Sequence, residues 1–315
     1  MEKSQKIKCL VVGGAGFIGS HLVDRLIKTG FSVSVIDNLS AGKKENLNPR
    51  AKFFRADIKS GGIKNIFRNE KPNAVFHYAA HIEARDSVKN PLNDAMTNII
   101  GGLNVIEQCR KFGVKKIIFA SSGGEIYGNA SQIPTPETFP LSPISPYGVA
   151  KLSMERYLSS YAALFGIDYL AARYGNVYGP RQNPCGESGV IAIFGQKMMA
   201  GKTPTIHGDG KQTKDYIFID DAVDATLLCF KKNVSGEINI AAGKEVSVNE
   251  IFARIKKIVG FKGMPRYAPL PSCGFKRGCL CIDKIQRDLG WWPKVDFSDG
   301  LSKTIIWLKE NQELR

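Results

Sequence analysis

At 315 residues, 43% hydrophobic and 23% charged, the chain has the size for one nucleotide-binding domain with a smaller appendage and the composition of an ordinary soluble globular protein. No apolar run reaches membrane-spanning length, and "MEKSQKIKCLVV" enters a strand-like run at once, without a signal peptide's apolar core, so a cytoplasmic protein is expected and no membrane partner. The net charge of +15 is spread along the chain, not gathered in a tail or a nucleic-acid module, which favours an anionic small molecule over nucleic acid as partner.

Lys8–Val12 is a short apolar run rich in β-branched residues, and the following "GGAGFIGSHLVDRLIKTG" falls into helical spacing until Gly30. Phe31–Ile36 alternates like a strand; Lys52–Phe54 and Ala74–His77 are further strands, the latter running into "HYAAH". The spacing predicts a long helix over Leu92–Phe112, a buried strand over Val114–Ala120, a helix in "SPYGVAKLSMERYLSSYAALFG" and a strand in "DYLAARYG". Such β-α-β repetition predicts an α/β fold, a doubly wound parallel sheet of Rossmann type. After Asn176 the pattern turns loop-like, then helical over Val190–Ala200, then mixed up to "LGWWP" and a final helix from Phe297. The expected division is a Rossmann domain over 1–175 and a smaller mixed α/β substrate domain over 176–315, with segments returning to the first sheet.

The seven cysteines are odd in number, which argues against a disulfide framework. Cys273, Cys279 and Cys281 cluster, but without a CxxC spacing or a nearby His they read as packing or surface thiols, and no metal is expected.

Gly13, Gly16 and Gly19 form G-x-x-G-x-x-G between a strand and a helix, with Phe17 and Ile18 inside the motif. Glycines there let the chain turn tightly and let a pyrophosphate approach the amides at the helix start. Asp37 ends the next strand, with Asn38 after it; a carboxylate there suits the ribose hydroxyls of NAD and repels the 2′-phosphate of NADP. Asp57 and Ile58 follow the third strand, where the adenine edge would lie. The cofactor is read as NAD.

Tyr147 and Lys151 stand four apart at a helix start, on one face. An ammonium beside a phenol favours the phenolate and draws its pKa from about 10 towards neutrality. A tyrosine so tuned can take a hydroxyl proton while hydride leaves the same carbon.

These motifs, with "ADI", "SSGGEIYG", "RYGNVYGPRQNP", "GDGKQTKDYIFIDDAVDA" and "LGWWP", run nearly end to end, and by them the chain resembles the NAD-dependent epimerase/dehydratase family of extended short-chain dehydrogenases/reductases. The resemblance implies Tyr147 as acid/base and Lys151 as the group that orders the nicotinamide ribose. It implies that Ala79, Ala80, His81, Asn98 and Ser121 line the cofactor, and that Tyr174 and Asn176 sit between nicotinamide and sugar. Glu83, Val190, Ile191, His207, Lys214 and Arg277 become candidates for binding a nucleotide-diphosphate sugar, a UDP-sugar first. A homodimer through the helices near Leu92–Phe112 and Pro146–Phe165 is implied as well. The expected activity is nucleotide-sugar 4-epimerisation by transient C4 oxidation.

Three departures bear on the reaction. Relatives usually carry Ser or Thr four residues before the tyrosine of "IYG", where this chain has Gly123. Dehydratases of the family place an acid where Gly124 stands, and losing it forfeits a contribution of about 10²–10⁴-fold. An epimerase can do without both, with Ser122 or a water beside Tyr147; Glu125 then either bonds a sugar hydroxyl or faces solvent. At the diphosphate, Lys214 replaces a usual arginine, and a second arginine's place falls at Pro271, with Arg266 or Arg277 as substitutes. A 4,6- or 5,6-dehydratase using Glu125 is the alternative; a non-catalytic NAD- or nucleotide-binding regulator is more distant, since it has no need of a tuned phenol.

Overall fold

The structure, a computed structural model, describes residues 6–184, 189–269 and 276–311. Pro271, Cys273 and Cys185 lie outside them.

The apolar runs become strands β1 (Lys8–Val12), β2 (Ser32–Asp37), β3 (Lys52–Arg55), β4 (Ala74–His77), β5 (Lys116–Ser122) and β6 (Asp168–Tyr174). The C-terminal half adds β7 (Asn176–Tyr178), β8 (Thr205–His207), β9 (Thr213–Phe218), β10 (Gly236–Ile240), β11 (Glu245–Ser247) and β12 (Arg266–Ala268). Seven of these form one sheet in the order β10-β6-β5-β4-β1-β2-β3. Its neighbours all pair in parallel. Both faces are covered: Val11, Val35, Phe76 and Ile118 enter one core, and Leu10, Ile36, Val75 and Ile117 the other. That two-sided burial is why the central strands read as continuous apolar runs. The strand order reverses between β1 and β4, and ligands of open α/β sheets bind in the crevice at such a point.

The remaining strands make a small mixed sheet, β11-β9-β7, and a parallel pair, β12-β8. Around Tyr178 the rings of Tyr216, Phe218 and Phe297 pack edge-on and tie this part to the last helix, Phe297–Glu310. β10 leaves it to pair with β6 on the main sheet.

The helix expected over Leu92–Phe112 is broken into three pieces: Pro91–Ala95, a π-turn over Met96–Gly101, and Gly102–Lys111, preceded by a short helix Ala84–Lys89. Hydrogen bonding explains the widened turn. Asn98 reaches sideways to the backbone of His81 and to Asp94, and Gly101 is pressed against Ile58. Among the described residues no helix is long and apolar enough to cross a membrane.

Candidate active site

β1 delivers the glycine turn. Gly13 holds φ +86°, and its amide donates to Ile36 O at 2.7 Å. A β-carbon on Gly13 would run into the backbone of Tyr78 and Ala79, and one on Gly19 into the Gly13 carbonyl. Gly16 then caps the helix Phe17–Lys28 without any side chain, so Phe17 and Ile18 open a first turn that no side-chain cap closes. Asp37, buried at the end of β2, accepts from Ala15 N at 3.0 Å and Leu39 N at 2.8 Å, placing its carboxylate against the turn. Asn38 donates to Asp57 at 3.1 Å, joining the ends of β2 and β3, and Ile58 is buried beneath Gly101. A bare cradle at a helix start with a carboxylate at its rim fits a pyrophosphate and a ribose diol.

Opposite the cradle, β4 runs into the loop of Ala79, Ala80 and His81. Asn98 accepts from His81 N at 2.8 Å and donates to His81 O at 2.9 Å and Asp94 at 2.8 Å, so its amide is spent on fixing that loop. His81 also faces Asp86 at 3.1 Å. Ser121 is turned inward too, donating to Glu155 at 2.5 Å. The Tyr174 hydroxyl meets Tyr78 and Thr226, each at 2.5 Å, inside the core. The Tyr174 hydroxyl is therefore committed to the core.

The helix Pro146–Phe165 carries the chemistry. Ser145 caps it, accepting from Gly148 N at 3.1 Å, and Pro146 fills a first-turn position that needs no N–H. Tyr147 N donates to Ser87 Oγ at 3.2 Å, locking the residue in place. The buried Lys151 donates to Ala120 O at 2.7 Å, and its Nζ lies 5.5 Å from the centre of the Tyr147 ring. The spacing thus brings the pair together, but other groups outweigh the ammonium at the phenol. Burial, then the charges of Glu125 and Asp94, push the Tyr147 phenol well above its ordinary range, while a hydrogen bond with Ser122 pulls it down. Lys151 spends its proton on a carbonyl; burial lowers it to about 8 against the support of Asp94 and Glu155.

Glu125 is not a solvent residue. Its Oε2 accepts from Ser145 Oγ at 2.8 Å, and its charge acts on both Tyr147 and Lys214. Gly123 has a packing explanation: a β-carbon there would strike the side chain of Leu280. Gly123→Ser is therefore expected to cost about 1–3 kcal/mol of stability, and Leu280→Ala in the same chain to relieve the clash. Thermal denaturation of both variants checks this.

A pocket beside Tyr127 is lined by Gly123, Gly124, Asn176, Lys214, Arg277 and Leu280. Asn176 donates to Asp215 O at 3.2 Å. Burial brings Lys214 down to about 7, with Glu125 holding it up. Arg277 reaches the rim but is forked onto Glu245 at 2.6 and 3.0 Å, so a phosphate must compete with that carboxylate for it. The other substrate candidates stand elsewhere. Glu83 caps the helix Ala84–Lys89, Val190 opens the helix Val190–Met199, Ile191 is 1% exposed in the core, and His207 faces Pro269 O at 3.3 Å. Arg266 is exposed on β12.

Several residues of the site escaped sequence reasoning. Ser145 was legible as a helix cap before proline; Ser87, Asp94 and Leu280 carry no local signal, because long-range packing brings each to the site.

Against this geometry, comparison with known proteins is informative. The pattern of the NAD dependent epimerase/dehydratase family matches residues 9–241. A putative UDP-glucose 4-epimerase of Methanocaldococcus jannaschii is 44% identical over 96% of this chain and 98% of its own. The UDP-glucose 4-epimerase of Thermotoga maritima, solved with UDP-glucose, superimposes with a TM-score of 0.95 at 45% identity, over 97% of this chain and all of the other. That of Thermus thermophilus, solved with NAD, gives 0.92 at 38% identity, over 96% and 99%. Pattern, sequence and fold agree that the chain belongs to the NAD-dependent epimerase/dehydratase family, with NAD as its cofactor.

Proposed function

We propose that the protein is a nucleotide-sugar 4-epimerase, acting on UDP-glucose and UDP-galactose or their N-acetyl forms. The observation that carries this reading is the pairing of Tyr147, held through its amide by Ser87 and with the Lys151 ammonium over its ring, with a glycine at 124 where dehydration needs an acid. Bound NAD⁺ supplies a hydride acceptor at C4 and a positively charged ring. Tyr147 takes the C4 hydroxyl proton as that carbon is oxidised and returns it to the oxygen when C4 is reduced from its other face. Ser122 favours the phenolate; Lys151 holds a positive charge over the Tyr147 ring. Gly13, Gly16, Gly19 and Asp37 would hold the pyrophosphate and ribose. Asn176 and Lys214, at the pocket, would hold sugar and diphosphate. In this reading residues 1–175 serve mainly NAD and 176–315 mainly the nucleotide sugar.

The test is to incubate the protein with UDP-glucose and with UDP-N-acetylglucosamine, without added NAD, and follow the sugar protons by NMR. Growth of the galacto epimer to a fixed ratio supports the proposal; a new methyl or vinyl signal would support a dehydratase instead. Glu125→Gln separates the same two readings. Its charge raises the Tyr147 pKa, so removing it lowers that pKa and moves the rising acid limb of the pH–rate profile to lower pH, with turnover kept. A dehydratase that used Glu125 as its base would lose turnover at every pH.

We also propose a homodimer. Leu92, Met96 and Ile100 expose an apolar stripe, Leu92 by 82%, and Val149, Tyr157 and Leu164 on the neighbouring helix add to it, Leu164 by 70%. Leu92→Asp is expected to shift the mass in light scattering from dimer to monomer. Cytoplasmic residence belongs to the same reading, supported by five free cysteines among the described residues.

A further inference from the structure

Arg173 on β6 and Glu155 on the helix Pro146–Phe165 form an ion pair whose side chains are only 3% and 1% exposed. Nε donates to Oε1 at 3.1 Å and Nη2 to Oε2 at 2.7 Å, a planar fork. Taking two charges wholly out of water costs solvation that their attraction repays only when further hydrogen bonds complete both groups, so such a pair is a weak stabiliser and calls for another role.

Its remaining bonds run in two directions. Towards the chemistry, Ser121 donates to Glu155 Oε1 at 2.5 Å, at the end of the strand whose Ala120 carbonyl accepts from Lys151. Glu155 also lies one turn after Lys151, on the same face of the helix. Towards the sugar pocket, Arg173 Nη1 donates to the Tyr127 hydroxyl at 2.9 Å, and that hydroxyl donates to Asn239 Oδ1 at 2.9 Å. Asn239 Nδ2 in turn donates to the carbonyls of Thr135 and Cys281, each at 3.0 Å. Thr135 is laced to the strip 279–281, its amide donating to Cys279 O at 2.8 Å and its carbonyl accepting from Cys281 N at 2.9 Å. The strip carries Leu280, which lines the pocket and fills the space over Gly123. One buried hydroxyl thus stands between the wall of the pocket and the charge pair behind Lys151.

We propose that Tyr127 is a positioning residue for the reaction: its hydroxyl couples the 279–281 strip, on which the sugar rests, to the Glu155–Arg173 pair, so that seating of the sugar and alignment of Tyr147 and Lys151 are set together. This rests on the epimerase reading above. The Tyr127 ring lines the same pocket, while its hydroxyl is bonded to Arg173 and Asn239, and it is through them that it acts.

The experiment is a double-mutant cycle on turnover with UDP-glucose as substrate. Tyr127→Phe keeps the ring and removes the hydroxyl; Leu280→Ala loosens the strip at its other end. Tyr127→Phe is expected to lower kcat by roughly ten- to a hundredfold, with KM changed far less and the bound NAD retained. The double variant is expected to fall well short of the product of the two single effects, because each already breaks the same coupling. A lowered melting temperature with unchanged kcat, or effects that simply multiply, would overturn the proposal and leave Tyr127 a structural residue. Should Tyr127→Phe not fold, hydrogen exchange of the unmutated protein decides. UDP-glucose is expected to protect amides of 146–165 as well as those of 276–281; protection confined to the strip refutes the coupling. Failure of the unmutated protein to bind or turn over UDP-glucose would instead sink the functional reading, and this inference with it.

Discussion

Tyr147→Phe is expected to give a folded protein that still carries NAD and whose epimerisation has fallen by about 10²–10⁴-fold, the range of a lost general acid/base. The variant removes one oxygen from a residue whose position is fixed by other means, namely the Ser145 cap and the bond from its amide to Ser87. Stability should therefore change little, and the loss should appear in kcat. NAD released on denaturation and NMR of the sugar protons separate the two effects. The pH profile carries a second signature. Burial and two nearby carboxylates favour the neutral phenol, so activity rises with pH until the phenolate is populated, and the residual activity of the phenylalanine variant should lack that limb. A variant that kept both rate and limb would place the acid/base elsewhere.

Gly13→Ala should abolish cofactor retention. At φ +86° any side chain is strained by about 1–3 kcal/mol, and here the added carbon also meets the backbone of Tyr78 and Ala79. Neither backbone can yield without dragging the loop of Ala79–His81, which Asn98 pins from behind. The expected result is a protein purified without NAD, inactive unless NAD is added in excess. It should also melt earlier, since a ligand at a hundred times its Kd contributes about 2.7 kcal/mol that the variant forgoes. Absorbance of the purified protein and a melting curve with and without NAD decide it; an alanine variant that copurifies with a full complement of NAD would contradict the cradle.

Much of the main sheet could be read from the chain because its strands are buried on both faces. Lys8–Val12 and Ala74–His77 fall where the apolar runs place them, and the helix from Phe297 begins at its predicted residue. Boundaries drifted where a helix end competes with the pattern: β5 starts at Lys116, two residues late, because Val114 N still donates to Cys109 O at the end of the preceding helix. The site divides the same way. Gly13, Gly19, Tyr147 and Lys151 announce themselves by spacing, since one turn or one helix face places them. The reason for Gly123 could not be read, because Leu280 reaches it from 157 positions away in the chain. Nor could the upward push on the Tyr147 phenol, which comes first from burial and then from Glu125 and Asp94. Spacing reports which groups meet; it does not report what else is buried with them.

The widened turn at Met96–Gly101 carries a consequence for how this stretch tolerates changes in length. A turn that holds one residue more than an α-helix rotates everything before it by roughly 100° relative to everything after it. Removing a single residue there would leave a longer, more regular helix with no loop to rebuild, at the cost of the bonds from Asn98 to His81. Yet it would swing Leu92 and Asp94 around the axis together, taking the first out of the exposed stripe and the second away from His81. The segment is thus a place where the backbone forgives a deletion and the register of two distant surfaces does not.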